Sequence, residues 1–65
     1  MNKRINFKRY IDRPDIIKVL NEKKEHLGDI EYNHGWECYV FQPEIAIEFS
    51  YDCLQEIIDY MKNLN

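Results

Sequence analysis

The chain has 65 residues, of which 45% are hydrophobic, 14% aromatic and 32% charged, and its formal net charge is −3. This is one small domain, residues 1–65, too short for two lobes and too apolar for a disordered tail. No apolar run reaches the roughly 18 residues of a membrane span, and no apolar segment follows the basic start, so a soluble cytoplasmic protein is expected.

Residues 1–12 form a basic N-terminal segment, strand or arm, in which Ile5, Phe7 and Ile11 share one side at period two. Asp12-Arg13-Pro14-Asp15 has the chemistry of a helix start, and Gly28 supplies a stop. Between them Ile16, Leu20 and Leu27 fall on one side of a 3.6-residue wheel, which predicts a first helix. After Gly28 the period becomes two. Residues 29–32, 36–41 and 44–49 are predicted strands, with Gly35 taking positive φ in the Asn33-His34-Gly35 turn and Pro43 at a turn or an edge.

Ser50 caps a last helix. Leu54, Ile57, Ile58, Met61 and Leu64 make its buried stripe, and Asp52, Glu56 and Asp59 form a carboxylate row on the opposite side. The expected fold is α+β in the order αβββα: a small antiparallel three-stranded sheet, with residues 5–11 as an optional fourth strand, and two helices on one face. Strand alternation turns Trp36, Cys38, Val40, Ile45, Ile47 and Phe49 toward the helices. It turns Glu37, Tyr39, Phe41, Glu44, Ala46 and Glu48 away, leaving two large aromatics on an open sheet face.

Few catalytic chemistries fit these residues. The chain has no Thr and one Ser, Ser50, which is committed to the helix cap, so it offers no hydroxyl nucleophile beyond Tyr. Gly28 and Gly35 stand apart, so neither the dinucleotide nor the phosphate-loop glycine pattern can be written. Cys38 and Cys53 are not a C-x-x-C pair and are expected as free thiols, and with His26 and His34 they match no zinc spacing. His34 reads as a solvated turn residue, and Glu37, Glu44 and Glu48 lack the apolar pocket that would split the pKa values of an acid and a base. No enzyme activity, cofactor, metal or small-molecule substrate is expected.

Charge is distributed unevenly. Residues 1–13 carry a net +4 through Lys3, Arg4, Lys8, Arg9 and Arg13, whereas residues 29–65 carry a net −7. The predicted order over residues 13–64 resembles the double-stranded-RNA-binding domain in outline. That family's second helix opens with lysines aimed at phosphates, whereas Ser50-Tyr51-Asp52-Cys53-Leu54-Gln55-Glu56 is acidic, so charge argues against RNA binding there. A carboxylate row instead imitates phosphates. In size, charge and mixed outline the chain is similar to small acidic phage proteins such as some anti-CRISPR proteins, and its richness in Ile, Asn, Lys and Tyr is what A/T-rich codons of a low-GC bacterium or its phage would give.

The expected function is that of a non-enzymatic binding and inhibitor protein of phage or mobile-element origin. Asp52, Glu56 and Asp59, with Glu37, Glu44 and Glu48 beside Tyr39 and Phe41, would occupy a basic surface of a larger host protein. Two other readings stand beside it: a homodimer pairing through the exposed sheet face, and, less favoured, nucleic-acid binding through the basic N-terminus.

Overall fold

The computed structural model describes residues 5–65. Four strands follow one another, β1 (Ile5–Arg9), β2 (Ile16–Asn21), β3 (His26–Asn33) and β4 (Cys38–Pro43), and one helix, α1 (Tyr51–Leu64), ends the chain. Every neighbouring pair is antiparallel and the spatial order β1-β2-β3-β4 is the chain order. The fold is therefore a four-stranded meander with a single helix across one face, and the expected αβββα order with two helices is wrong. The outline likeness to the double-stranded-RNA-binding domain falls with it.

The predicted first helix is a hairpin. Ile16, Ile17 and Val19 are β-branched, which favours a pleated strand over a helix. At Asn21 the chain reverses: its Oδ1 accepts from the backbone N–H groups of Lys23 and Glu25, both at 2.9 Å, and Lys24 takes φ 66°. Gly28 is not a helix stop but lies inside β3 opposite Val19. A Cβ there would come within 2.5 Å of the Gln42 carbonyl oxygen and 2.8 Å of the Phe41 ring, so only glycine allows β3 and β4 to pack as they do. A register shift beside it leaves Leu27 as a bulged residue, and its side chain joins the core.

The predicted third strand, residues 44–49, is an irregular connection. Pro43 cannot donate onward, and Ala46 at φ 66° turns the chain out of the sheet toward the helix, leaving Ile47 37% exposed and Ile45 more so. Of the N-terminal segment, Ile5–Arg9 is an edge strand paired with β2, while residues 1–4, with Lys3 and Arg4, lie outside the described residues.

The core lies between the sheet and α1. Ile5, Ile17, Val19, Leu27, Ile30 and Ile57 are buried, with Phe7, Tyr39, Phe41, Phe49, Cys53, Tyr60, Met61 and Leu64 packed around them. Ser50 Oγ accepts from the Cys53 N–H at 3.3 Å and so caps α1 as expected. At the other end the Asn65 N–H donates to the Met61 carbonyl, and Asn65 Oδ1 accepts from the Tyr39 N–H at 2.7 Å, tying the helix end to β4.

Truncating Ile57 or Ile30 to Ala should cost about 2 to 5 kcal/mol, and Gly28→Ala about 1 to 3 kcal/mol, whereas Ile47→Ala should cost about 1 kcal/mol or less. Urea unfolding followed by far-ultraviolet circular dichroism measures all four, and a loss at Ile47 equal to that at Ile57 contradicts this core.

Candidate functional site

The rotation of α1 about its own axis decides which side chains the protein presents. Tyr60 stacks on Phe7 of β1 with ring centroids 3.9 Å apart and planes 8° from parallel. With Ile57 buried, this turns Cys53, Tyr60 and Leu64 to the sheet, roughly 60° from the stripe that spacing alone predicts. Leu54 and Ile58, expected inside, are exposed at 40% and 46%. The row Asp52, Glu56, Asp59 consequently flanks the buried stripe rather than opposing it. Asp52 and Asp59 are exposed, Glu56 is half-buried, and Asp59 Oδ1 accepts from Gln55 Nε2 at 2.9 Å.

The other expected site residues do not share a face. Glu37 occupies the β3–β4 turn at φ 58°, a left-handed position that was expected of Gly35, and neither glycine has positive φ. This reversal sets the phase of β4. Phe41 lies opposite Ile30 and Tyr39 opposite Tyr32, so both rings pack against the core under α1, not on the open face, while Trp36 is 76% exposed. Tyr39 meets Tyr32 edge to face at 5.4 Å, and Phe41 meets Phe49 at 5.6 Å.

Glu44 belongs to the sheet face away from α1. His26 Nδ1 lies 3.1 Å from Glu44 Oε1, and its Nε2 lies 2.9 Å from Asp29 Oδ1. The Tyr10 hydroxyl donates to the same Asp29 oxygen at 3.0 Å, and Lys18 Nζ sits 5.0 Å from the Tyr10 ring centroid. Burial, and then the hydrogen bond and negative charge of Asp29, raise the Tyr10 phenol above its ordinary value near 10. The network fastens residues from all four strands or their ends to one another.

Glu48 lies elsewhere again. With Glu22, Lys23 and Glu25 it rims a cleft of about 250 Å³ whose apolar lining is Ile5, Leu27, Phe49 and Cys53, with Asn21 beside them. The cleft opens between the β2–β3 turn and the start of α1, and Asp52 follows in the first helical turn. Its volume falls below the roughly 300 Å³ at which small-molecule pockets begin, so it suits one inserted side chain better than a metabolite. Its rim carries three carboxylates and one ammonium, that of Lys23, above the apolar floor. Glu22 and Glu25 escape the sequence reading because a helix over residues 14–28 hides the turn. The unbroken polar run Asn21-Glu22-Lys23-Lys24-Glu25 was the signal for it.

Both cysteines are free and half-buried, and among the described residues no group of three His, Cys, Asp or Glu is placed to hold a metal ion. No helix among them is long and apolar enough to cross a membrane. Comparison with protein-family models, with curated proteins and with solved structures finds no match.

Because the folded state holds the Tyr10 phenol neutral, its contribution is fully present below the unfolded value near 10 and is lost as pH rises through the higher folded value. Carbon NMR of the Tyr10 ring should place its midpoint above 10, and Asp29→Asn should lower it without abolishing the shift, since burial is the larger cause. A midpoint at the ordinary value contradicts the network.

Proposed function

We propose that this is a small non-enzymatic binding and inhibitor protein, encoded by a phage or mobile element and acting in the cytoplasm. It occupies a basic, nucleic-acid-binding surface of a larger host protein, as counter-defence proteins of the anti-CRISPR kind do. The observation that carries this reading is the cleft in which Glu22, Glu25 and Glu48 outnumber Lys23 around an apolar floor, continued along α1 by Asp52, Glu56 and Asp59.

Chemistry favours this division of labour. Carboxylates speed the approach of a cationic surface, and desolvated apolar contacts in the cleft slow its departure. A Lys or Arg that binds a nucleic-acid phosphate in the host protein would find a carboxylate in its place and an apolar shelf for its stem.

The experiment is a pull-down from low-GC bacterial lysate at low and high salt with the parent, with Glu22→Lys/Glu25→Lys/Glu48→Lys and with Asp52→Lys/Glu56→Lys/Asp59→Lys, followed by mass spectrometry and by nucleic-acid binding of the captured protein. The parent should retain a nucleic-acid-binding protein and suppress its binding, the rim variant should lose it, and the helix variant should weaken it. Equal capture by all three forms, or capture that leaves nucleic-acid binding intact, contradicts the reading.

A further inference from the structure

His26 joins the two segments that rim the cleft. It opens β3 directly after Glu25, at the end of the turn that carries Glu22 and Lys23, and its partner Glu44 opens the irregular connection that carries Glu48 and Phe49. Glu44 also anchors that connection to the sheet, for its N–H donates to the Leu27 carbonyl at 2.9 Å. Beyond it Ile45 is 93% exposed and Ala46 turns left-handed, and the chain regains the core at Phe49, edge to face with Phe41.

Both ring nitrogens of His26 face carboxylate oxygens, Nε2 that of Asp29 and Nδ1 that of Glu44. A carboxylate only accepts, so both contacts are hydrogen bonds only when both nitrogens carry protons. A neutral imidazole has a single N–H. Its bare nitrogen turns a lone pair toward a carboxylate oxygen, and that contact becomes repulsive. Asp29 is the partner that stays, since its side chain is 28% exposed against 50% for Glu44 and its Oδ1 is held by the Tyr10 hydroxyl as well. Glu44 is the partner released.

We infer that His26 is a proton-operated latch on the cleft: the imidazolium ties Glu44 to β3 and fixes the wall that bears Glu48, and the neutral ring frees residues 44–48 to move. The groups around the ring agree with this. Asp29 on β3 and Glu44 beyond β4 touch it, Lys18 on β2 lies opposite Asp29, and Tyr10 after β1 reaches Asp29 with Arg13 close enough to act on its charge. Leu20 of β2, directly opposite His26, is apolar. One proton therefore mediates between two carboxylates, and its loss leaves them facing each other across an uncharged ring. The regulatory meaning of the latch rests on the cleft being the binding surface, whereas the movement of residues 44–48 does not.

The test is methyl-resolved NMR of the whole chain between about pH 5.5 and about pH 8.5, the interval in which imidazole changes charge. Ile45, Ala46 and Ile47 report on the connection, the His26 ring on its proton, and Ile30 and Ile57 on the core. The Ile45, Ala46 and Ile47 methyls should shift with the midpoint of the His26 ring and sharpen above it, while Ile30 and Ile57 hold still. Glu44→Ala should show the alkaline positions at every pH, His26→Gln should abolish the titration, and His34→Gln, at the turn after β3, should leave it intact. Methyls that stay put while His26 titrates, or a titration that survives His26→Gln, overturn the inference. A methyl titration beside a pull-down indifferent to Glu22→Lys/Glu25→Lys/Glu48→Lys upholds the latch and removes the cleft as the surface it serves, so the two failures are told apart.

Discussion

The stack of Tyr60 on Phe7 governs what this protein shows to its surroundings. An amphipathic helix with an apolar arc wider than its docking surface can settle at several rotations, and a specific ring pair selects one of them. Here the selected rotation commits Cys53, Ile57, Tyr60 and Leu64 to the sheet. It releases Leu54 and Ile58 to the surface and carries Asp59 and Asp52 to the side of the helix rather than its crest. The position of the α1 acids and the exposure of Leu54 and Ile58 are two results of one packing decision.

The second constraint is the reversal at Asn21. Its side chain replaces missing backbone partners inside a tight turn, and β2 and β3 can therefore pair directly. That pairing creates the centre of the sheet, and it brings Glu22 and Glu25 back over Ile5 and Leu27, where Glu48 meets them from the far side of the chain. Residues that a linear reading places in a neutral stretch thus become part of a concave surface on which acids outnumber bases.

Local chemistry was legible in the sequence, and long-range partnership was not. Ser50 as a cap, α1 as a helix and Pro43 as an interruption all follow from neighbours within a turn or two, whereas residues 5–9 were open between strand and arm and only pairing with β2 decides them. The errors came where one pattern served two structures. Ile16, Leu20 and Leu27 lie on one side of a helical wheel, yet the same residues fit a hairpin once Asn21 turns, and β-branching at Ile16, Ile17 and Val19 was the better guide. Alternation over residues 44–49 is that of a strand, but Ala46 turns left-handed and no neighbouring strand awaits. A single left-handed Glu37 also inverted the facing of Tyr39 and Phe41, because a period-two pattern has no memory across a flipped residue. The candidate site was legible as charge and misplaced as geometry: Glu48 and the α1 acids were in view, Glu22 and Glu25 were not, and Glu37 and Glu44 belong to other surfaces.

A meander whose spatial order repeats its chain order also has a kinetic character. Each strand meets a partner only a short reversal away, so the loops closed in building the sheet are small and entropically cheap. Bringing Tyr60 onto Phe7 is different, for it joins opposite ends of the chain. Docking α1 on the sheet therefore closes a far longer loop than any strand pairing does. The element whose rotation sets the protein's exposed side chains is thus also the one held by its least local contact.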